Sequence, residues 1–193
     1  MDLTEGTIQE KNIRAKKMML WFGIISLIMS FAGWTSAFVV SSSREDWLKD
    51  FVLPEAFLIS TLIIIISSIT FILAKKSIQK NNRSQTTLFL LLTFFLGLFF
   101  IMNQLKGFQQ IIDQGYNFTG PTSNVTMSYI YLIAVVHVVH VVVAMISLLV
   151  VIINHFKQRY NSNNLLGLEL SATFWHFVDI LWIYLFLFLY FVR

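Results

Sequence analysis

The chain has 193 residues, of which 56% are hydrophobic and only 12% charged; Lys and Arg outnumber Asp and Glu by 14 to 10, for a formal net charge of +4. A soluble domain carries about a quarter of its residues as charges, so this composition excludes a soluble enzyme and points to a polytopic membrane protein, read as one domain over 1–193. With no cysteine, the chain cannot hold an iron–sulfur cluster, a thiolate copper centre or covalently attached c-type haem. The modest basic excess speaks for membrane orientation rather than nucleic-acid binding.

The N-terminal tail mixes Asp2, Glu5 and Glu10 with Lys11, Arg14, Lys16 and Lys17. The apolar run behind it outlasts a signal-peptide core, so a first span is expected over 18–40. Arg44 and Lys49 follow it. The second span is expected over 53–74 and is closed by Lys75, Lys76, Lys80 and Arg83, with a polar turn at 81–85. The third, over 86–105, is rich in Phe; Phe94, Phe95, Phe99 and Phe100 read as packing and lipid-facing surface, not as a cofactor pocket. The connection 106–124 is the longest. Its two Asn-x-Thr triplets, at Asn117 and Asn124, carry little weight. Ser123 or Asn124 is expected to cap a fourth span over 125–153. Lys157 and Arg159 lead to a fifth over 172–192.

Each run reaches the ~20 residues that crossing a bilayer requires. The expected fold is therefore all-α, a polytopic membrane bundle of five transmembrane helices. Most basic residues fall in the tail and in the connections after the second and fourth spans; Arg44, Lys49, Lys106 and Arg193 fall on the opposite side. The positive-inside rule then puts the N-terminus inside and the C-terminus outside. No sequence repeat suggests an inverted-repeat transporter.

Few ionisable residues lie deep in the spans. His137 and His140 are three apart and share a helix face. They read either as haem or metal ligands or as hydrogen-bonding groups between helices. A bis-His haem would need His176 from another span, because two imidazoles on one face of one helix cannot sit on both sides of a haem. His176 and Asp179 share a face of the fifth span, and Glu169 joins that stripe if the helix begins early. Trp175 and Trp182 flank Asp179, and an indole N–H can donate to a carboxylate or a lipid phosphate. A carboxylate near the bilayer centre costs roughly 2.5–3.5 kcal/mol on insertion scales, so Asp179 needs a compensating role. It reads either as a proton-relay group or as an acceptor that fastens helices. A relay requires acids at successive depths, and no other span carries a deep one, which favours the fastening role.

The segment Phe174-Trp-His-Phe-Val-Asp179-Ile-Leu-Trp182, with its lead-in Gly167-Leu-Glu169, resembles subunit III of haem–copper oxidases. That family ends in Gly-x-Glu, then Trp-His-Phe-Val-Asp, a further Trp and a Phe/Leu-rich run. Its His-x-x-His-Val matches His137, His140 and Val141, and its Thr-Gly matches Thr119 and Gly120. Leu53-Pro54, Ser60-Thr61 and Ser67-Ser68-Ile69-Thr70 resemble its Leu-Pro…Thr…Ser-Ser-x-Thr helix. Gln104 fits its Gln after the stretch at Gly97. Where many members have seven helices, this chain reads as a five-helix form. Two family acids are replaced. Ser26-Leu27 stands where Ser-Glu is usual, and Gln104-Leu-Lys-Gly107 stands where Gln-x-x-Glu is usual, so no role of those acids carries over.

The resemblance implies an accessory subunit of a proton-pumping terminal oxidase, with no catalytic, cofactor-binding or metal residue of its own. Haem and copper would lie on partner subunits I and II. This chain would pack against subunit I, support its proton uptake and stability, and hold phospholipid. Cytochrome c is favoured as the electron donor over quinol, and a stand-alone b-haem protein is the reading from another class. The expected site is the bacterial cytoplasmic (inner) membrane, within a complex that could join a larger respiratory supercomplex. The residues expected to make structural or lipid contacts are Gln104, His137, His140, Glu169, Trp175, His176, Asp179 and Trp182.

Overall fold

A computed structural model describes residues 6–48, 51–120, 123–160 and 165–192. Lys49 and Arg193, used in the charge argument, lie outside the described residues. Five helices follow in order: α1 Ile8–Ser41, α2 Glu55–Gln79, α3 Arg83–Asp113, α4 Val125–Phe156 and α5 Leu166–Phe191. All five are long and apolar enough to cross a membrane. The all-α, five-span expectation agrees with this, although the helices overrun the apolar stretches.

The overruns have local causes. Thr7 and Glu10 form a reciprocal capping box, so α1 starts well before Met18. Asn124 accepts from the Thr126 N–H at 2.8 Å and is the cap of α4. The helix α3 runs on through Lys106 and Gly107 to Asp113. Because α5 begins at Leu166, Glu169 falls in its first turn, on the stripe with His176.

The helices α2 and α3 form the most extensive pair, and α3–α4, α4–α5 and α2–α5 contacts close the bundle. Small residues allow the backbones to approach. A Cβ at Gly107 of α3 would run into the ring of Phe57 on α2, and one at Gly97 would meet Met145 and Trp175. Such close approach is how membrane helices gain packing energy when lipid offers no hydrophobic drive. The helix α1 touches only α4 and α5 among the described elements. It buries the single stripe Ile24, Phe31, Thr35 and Phe38. Outward faces such as Leu62, Ile65, Ile66 and Ile69 of α2, and Val139, Val143 and Ile146 of α4, are exposed apolar surface suited to lipid.

Candidate functional site, a polar seam along α2

The residues singled out on α3 and α5 converge on hydroxyls of α2. At one level, Gln104 Nε2 donates to Ser60 Oγ at 2.8 Å, and Trp182 Nε1 donates to Thr61 Oγ1 at 3.0 Å. Two turns along α2, Trp175 Nε1 donates to Ser67 Oγ at 3.1 Å. His176 Nδ1 and Ser68 Oγ are 2.6 Å apart, and the Ser68 hydroxyl also faces the Asp179 carboxyl. Thr70 Oγ1 and Thr93 Oγ1 lie 2.8 Å apart and tie α2 to α3. Trp175, Trp182, Gln104 and Asp179 are all buried.

Ser68 is the branching point. A hydroxyl has one proton and two lone pairs, so it can pass a proton to one neighbour while accepting from the other. If Asp179 is a carboxylate, the order runs from His176 Nδ1–H to Ser68 and from Ser68 to Asp179. If Asp179 is protonated, the order reverses. In either state each group meets the other through one oxygen. Asp179 Oδ2 and Gln104 Oε1 make no protein hydrogen bond.

The histidines do not act together. His137 is fully buried, and neither ring nitrogen has a partner. Its ring lies 5.0 Å from Trp182 at a 32° tilt and is edged by Phe100 of α3 and Phe31 of α1. His140 keeps Nδ1 on the carbonyl of Val136, one turn back, at 2.8 Å. A carbonyl only accepts, so Nδ1 carries the proton. His176 faces α2. These three surroundings differ, and no group of three or more His, Cys, Asp or Glu is placed to hold a metal ion among the described residues.

Glu169 occupies the end of the bundle nearest the N-terminus. Its Oε2 lies 3.2 Å from Lys17 Nζ of α1 and its Oε1 lies 3.8 Å from Lys75 Nζ of α2. One carboxylate thus joins three helices. All three side chains are partly exposed, so each pair contributes at most about 1 kcal/mol.

Sequence reasoning identified the donors and missed their chemistry. Ser60, Thr61, Ser67 and Ser68 entered only through the family pattern, although hydroxyls seven residues apart on an apolar helix form a polar stripe. That spacing matches the seven-residue spacing of Trp175 and Trp182, a signal available without a structure.

The family model described as "Cytochrome c oxidase subunit III" matches residues 3–193. "Cytochrome c oxidase subunit 3" of Drosophila melanogaster is 28% identical over 203 residues, covering 96% of this chain and 74% of the relative. The protein of the same name from Loxodonta africana is 29% identical over 204 residues with the same coverages. That of Spodoptera frugiperda is 30% identical over 134 residues, covering 69% of this chain and 86% of the relative.

Proposed function

Since the chain belongs to the cytochrome c oxidase subunit III family, we propose that it packs against subunit I of its oxidase, with haem and copper held by subunits I and II. It is an accessory subunit of a cytochrome c oxidase. The observation that supports the packing role is the seam itself. Trp175, Trp182, Gln104 and His176 each direct one hydrogen-bonding group at α2, which is the use expected of groups that hold a bundle together.

In this reading the subunit supports proton uptake and stability in subunit I and holds phospholipid on its outer surfaces. Electrons enter the complex from cytochrome c. The N-terminus lies inside and the C-terminus outside, as the distribution of Lys and Arg argues. The membrane is the bacterial cytoplasmic membrane; identities of only 28–29% to animal relatives support a distant source. The whole chain forms one membrane domain.

Extraction in a mild detergent, followed by identification of the co-purifying chains, tests this. Subunits I and II should accompany the chain, reduced cytochrome c should be oxidised, and the chain stripped of its partners should show no Soret band. A stoichiometric Soret band on the isolated chain would defeat the reading in favour of a b-haem protein. Oxidation of quinol but not of cytochrome c would move it to a quinol oxidase.

A further inference from the structure

Two polar stripes meet at the end of the bundle nearest the N-terminus. On α2, Ser68 and Lys75 are two turns apart; on α5, Glu169 and His176 are two turns apart, so each pair shares a face. The two helices are antiparallel, and their stripes match level by level. Lys75 Nζ and Glu169 Oε1 lie 3.8 Å apart, and one level deeper Ser68 Oγ and His176 Nδ1 lie 2.6 Å apart. The Lys75 ammonium is close enough to act on the His176 ring. Beyond them the Ser68 hydroxyl faces the buried Asp179 carboxyl. The outer end opens on a cavity of about 230 Å³ bordered by Lys17, Lys75, Glu169 and Thr173, a polar site with room for water. The result is a ladder of ionisable and hydroxyl groups leading from that mouth to a buried acid.

The inner part of this ladder serves Asp179 in two protonation states. In the first, Asp179 carries a proton and donates to Ser68 Oγ, Ser68 donates to His176 Nδ1, and the ring proton is on Nε2. In the second, Nδ1 carries the ring proton and donates to Ser68, Ser68 donates to the Asp179 carboxylate, and Nε2 is bare. The imidazole is neutral in both. The states differ by one proton at Nε2 and one negative charge on Asp179, and the heavy atoms can keep their places. A group needed only as a fastening acceptor has no use for a second state, since an amide oxygen would serve. At ~1.5 Å per residue, Asp179 lies roughly 15 Å beyond Glu169 along α5, about half of the ~30 Å hydrocarbon core. Among the described residues no acid continues the path, and Glu55 stands at the far end of α2. A proton that reaches Asp179 therefore leaves the way it came.

We propose that Asp179 is a proton-holding site, loaded and emptied from the N-terminal side through Ser68 and His176. On release the carboxyl proton passes to Ser68 Oγ, the Ser68 proton passes to Nδ1, and the Nε2 proton leaves toward the mouth, where the Glu169 carboxylate and water accept it. Loading runs in reverse. The charged groups that face this path are Lys75 of α2 and Lys17 of α1, with Glu169 of α5 between them. The helix α4 carries no Asp, Glu, Lys or Arg, and its His137 and His140 lie against Trp182 and on the Val136 carbonyl. The proposal rests on the proton-uptake role above for its use, and gives that role a group on this chain; the site itself depends on the seam alone.

The test uses the co-purified complex in mild detergent, transferred from ordinary to heavy water and followed by infrared spectroscopy. The carbonyl stretch of a protonated carboxyl stands apart from carboxylate and amide bands, and it shifts when the O–H becomes O–D. The wild type should show such a band, and D179N should remove it, which assigns it to Asp179. A positioned proton-transfer group typically contributes roughly 10²–10⁴-fold in rate, so S68A and H176F should each slow exchange of that band on the order of a hundredfold. S68T keeps the hydroxyl and should exchange at the wild-type rate. A role confined to fastening predicts the opposite sign, because a loosened seam admits water and speeds exchange. The site is overturned by the lack of any band that D179N removes, by exchange in S68A and H176F as fast as in the wild type or faster, or by exchange in S68T as slow as in S68A. Any of these in a complex that keeps its partner chains and oxidises cytochrome c leaves the accessory-subunit reading intact; absence of those chains defeats that reading instead.

Discussion

Ser68→Ala is the most informative single perturbation of the seam. The hydroxyl lies 2.6 Å from His176 Nδ1 and faces the Asp179 carboxyl, and Asp179 is 3% exposed with Oδ2 already unpartnered. An average hydrogen bond between membrane helices contributes about 0.6 kcal/mol. A buried polar group left without any partner costs about 1–3 kcal/mol, and more if charged. Ser68→Ala removes the bond to His176, about 0.6 kcal/mol, and takes the polar neighbour from a buried carboxyl, about 1–3 kcal/mol, so the expected loss is about 2–4 kcal/mol. In Asp179→Ala the stranded group is gone, so adding Ser68→Ala there should cost at least about 1 kcal/mol less than it does alone. The measurement is equilibrium unfolding of the purified full-length chain by dodecyl sulfate in mixed micelles, followed by Trp fluorescence, since Trp175 and Trp182 are buried beside the seam. Additivity of the two substitutions within about 0.5 kcal/mol would refute the shared hydroxyl. A loss of haem from the complex in either variant would refute the fastening role altogether.

Three further substitutions separate packing from chemistry. His137→Phe should be neutral or stabilise by up to about 2 kcal/mol in the same unfolding assay, because two orphaned ring nitrogens are replaced by apolar atoms in an aromatic cage; a large destabilisation or lost haem would contradict the caged reading. Trp182→Ala should cost about 3–5 kcal/mol, whereas Trp182→Phe should lose chiefly the bond to Thr61, about 0.6 kcal/mol; equal costs would show that the ring contacts contribute little. Gly107→Leu should separate α2 from α3 against the Phe57 ring and deplete the subunit from the purified complex, as measured by subunit stoichiometry; normal stoichiometry and stability would mean that the close approach is dispensable.

The sequence made the five spans legible because hydrocarbon leaves a chain few choices: an apolar run of sufficient length must be helical. Helix ends were less legible. The early starts of α1 and α5 follow from a capping box at Thr7 and from polar residues that continue a helix outside the apolar window. The site was half legible. Asp179, His176 and the two Trp residues stand out as polar groups in an apolar run, and the start of α5 at Leu166 places Glu169 in the same helix, seven residues before His176. Their partners did not stand out, because Ser and Thr in a membrane helix look inert when they bond their own backbone. Spacing pairs His137 with His140, and both rings edge Phe31; packing then separates them, with Trp182 and Phe100 around His137 and the Val136 carbonyl on His140.

The asymmetry of donors and acceptors explains how the seam specifies its register. Ser60 and Thr61 both donate to the Phe57 carbonyl at 2.8 Å, so their protons are already used within α2. Before assembly these groups expose little unsatisfied polarity to lipid, and each retains lone pairs. The indoles of α5 and the amide of Gln104 supply protons and find no acceptor on their own helices. Docking therefore pairs free donors with free lone pairs, and only one alignment does so. Trp175 meets Ser67 while Trp182 meets Thr61, two turns apart on antiparallel helices. A slip of α5 by one turn would orphan both indole N–H groups at once, and would also take Asp179 from Ser68. Bonds that are individually weak in a membrane thus select a single register because they succeed or fail together, and the carboxyl that is costly in lipid raises the penalty for every other alignment.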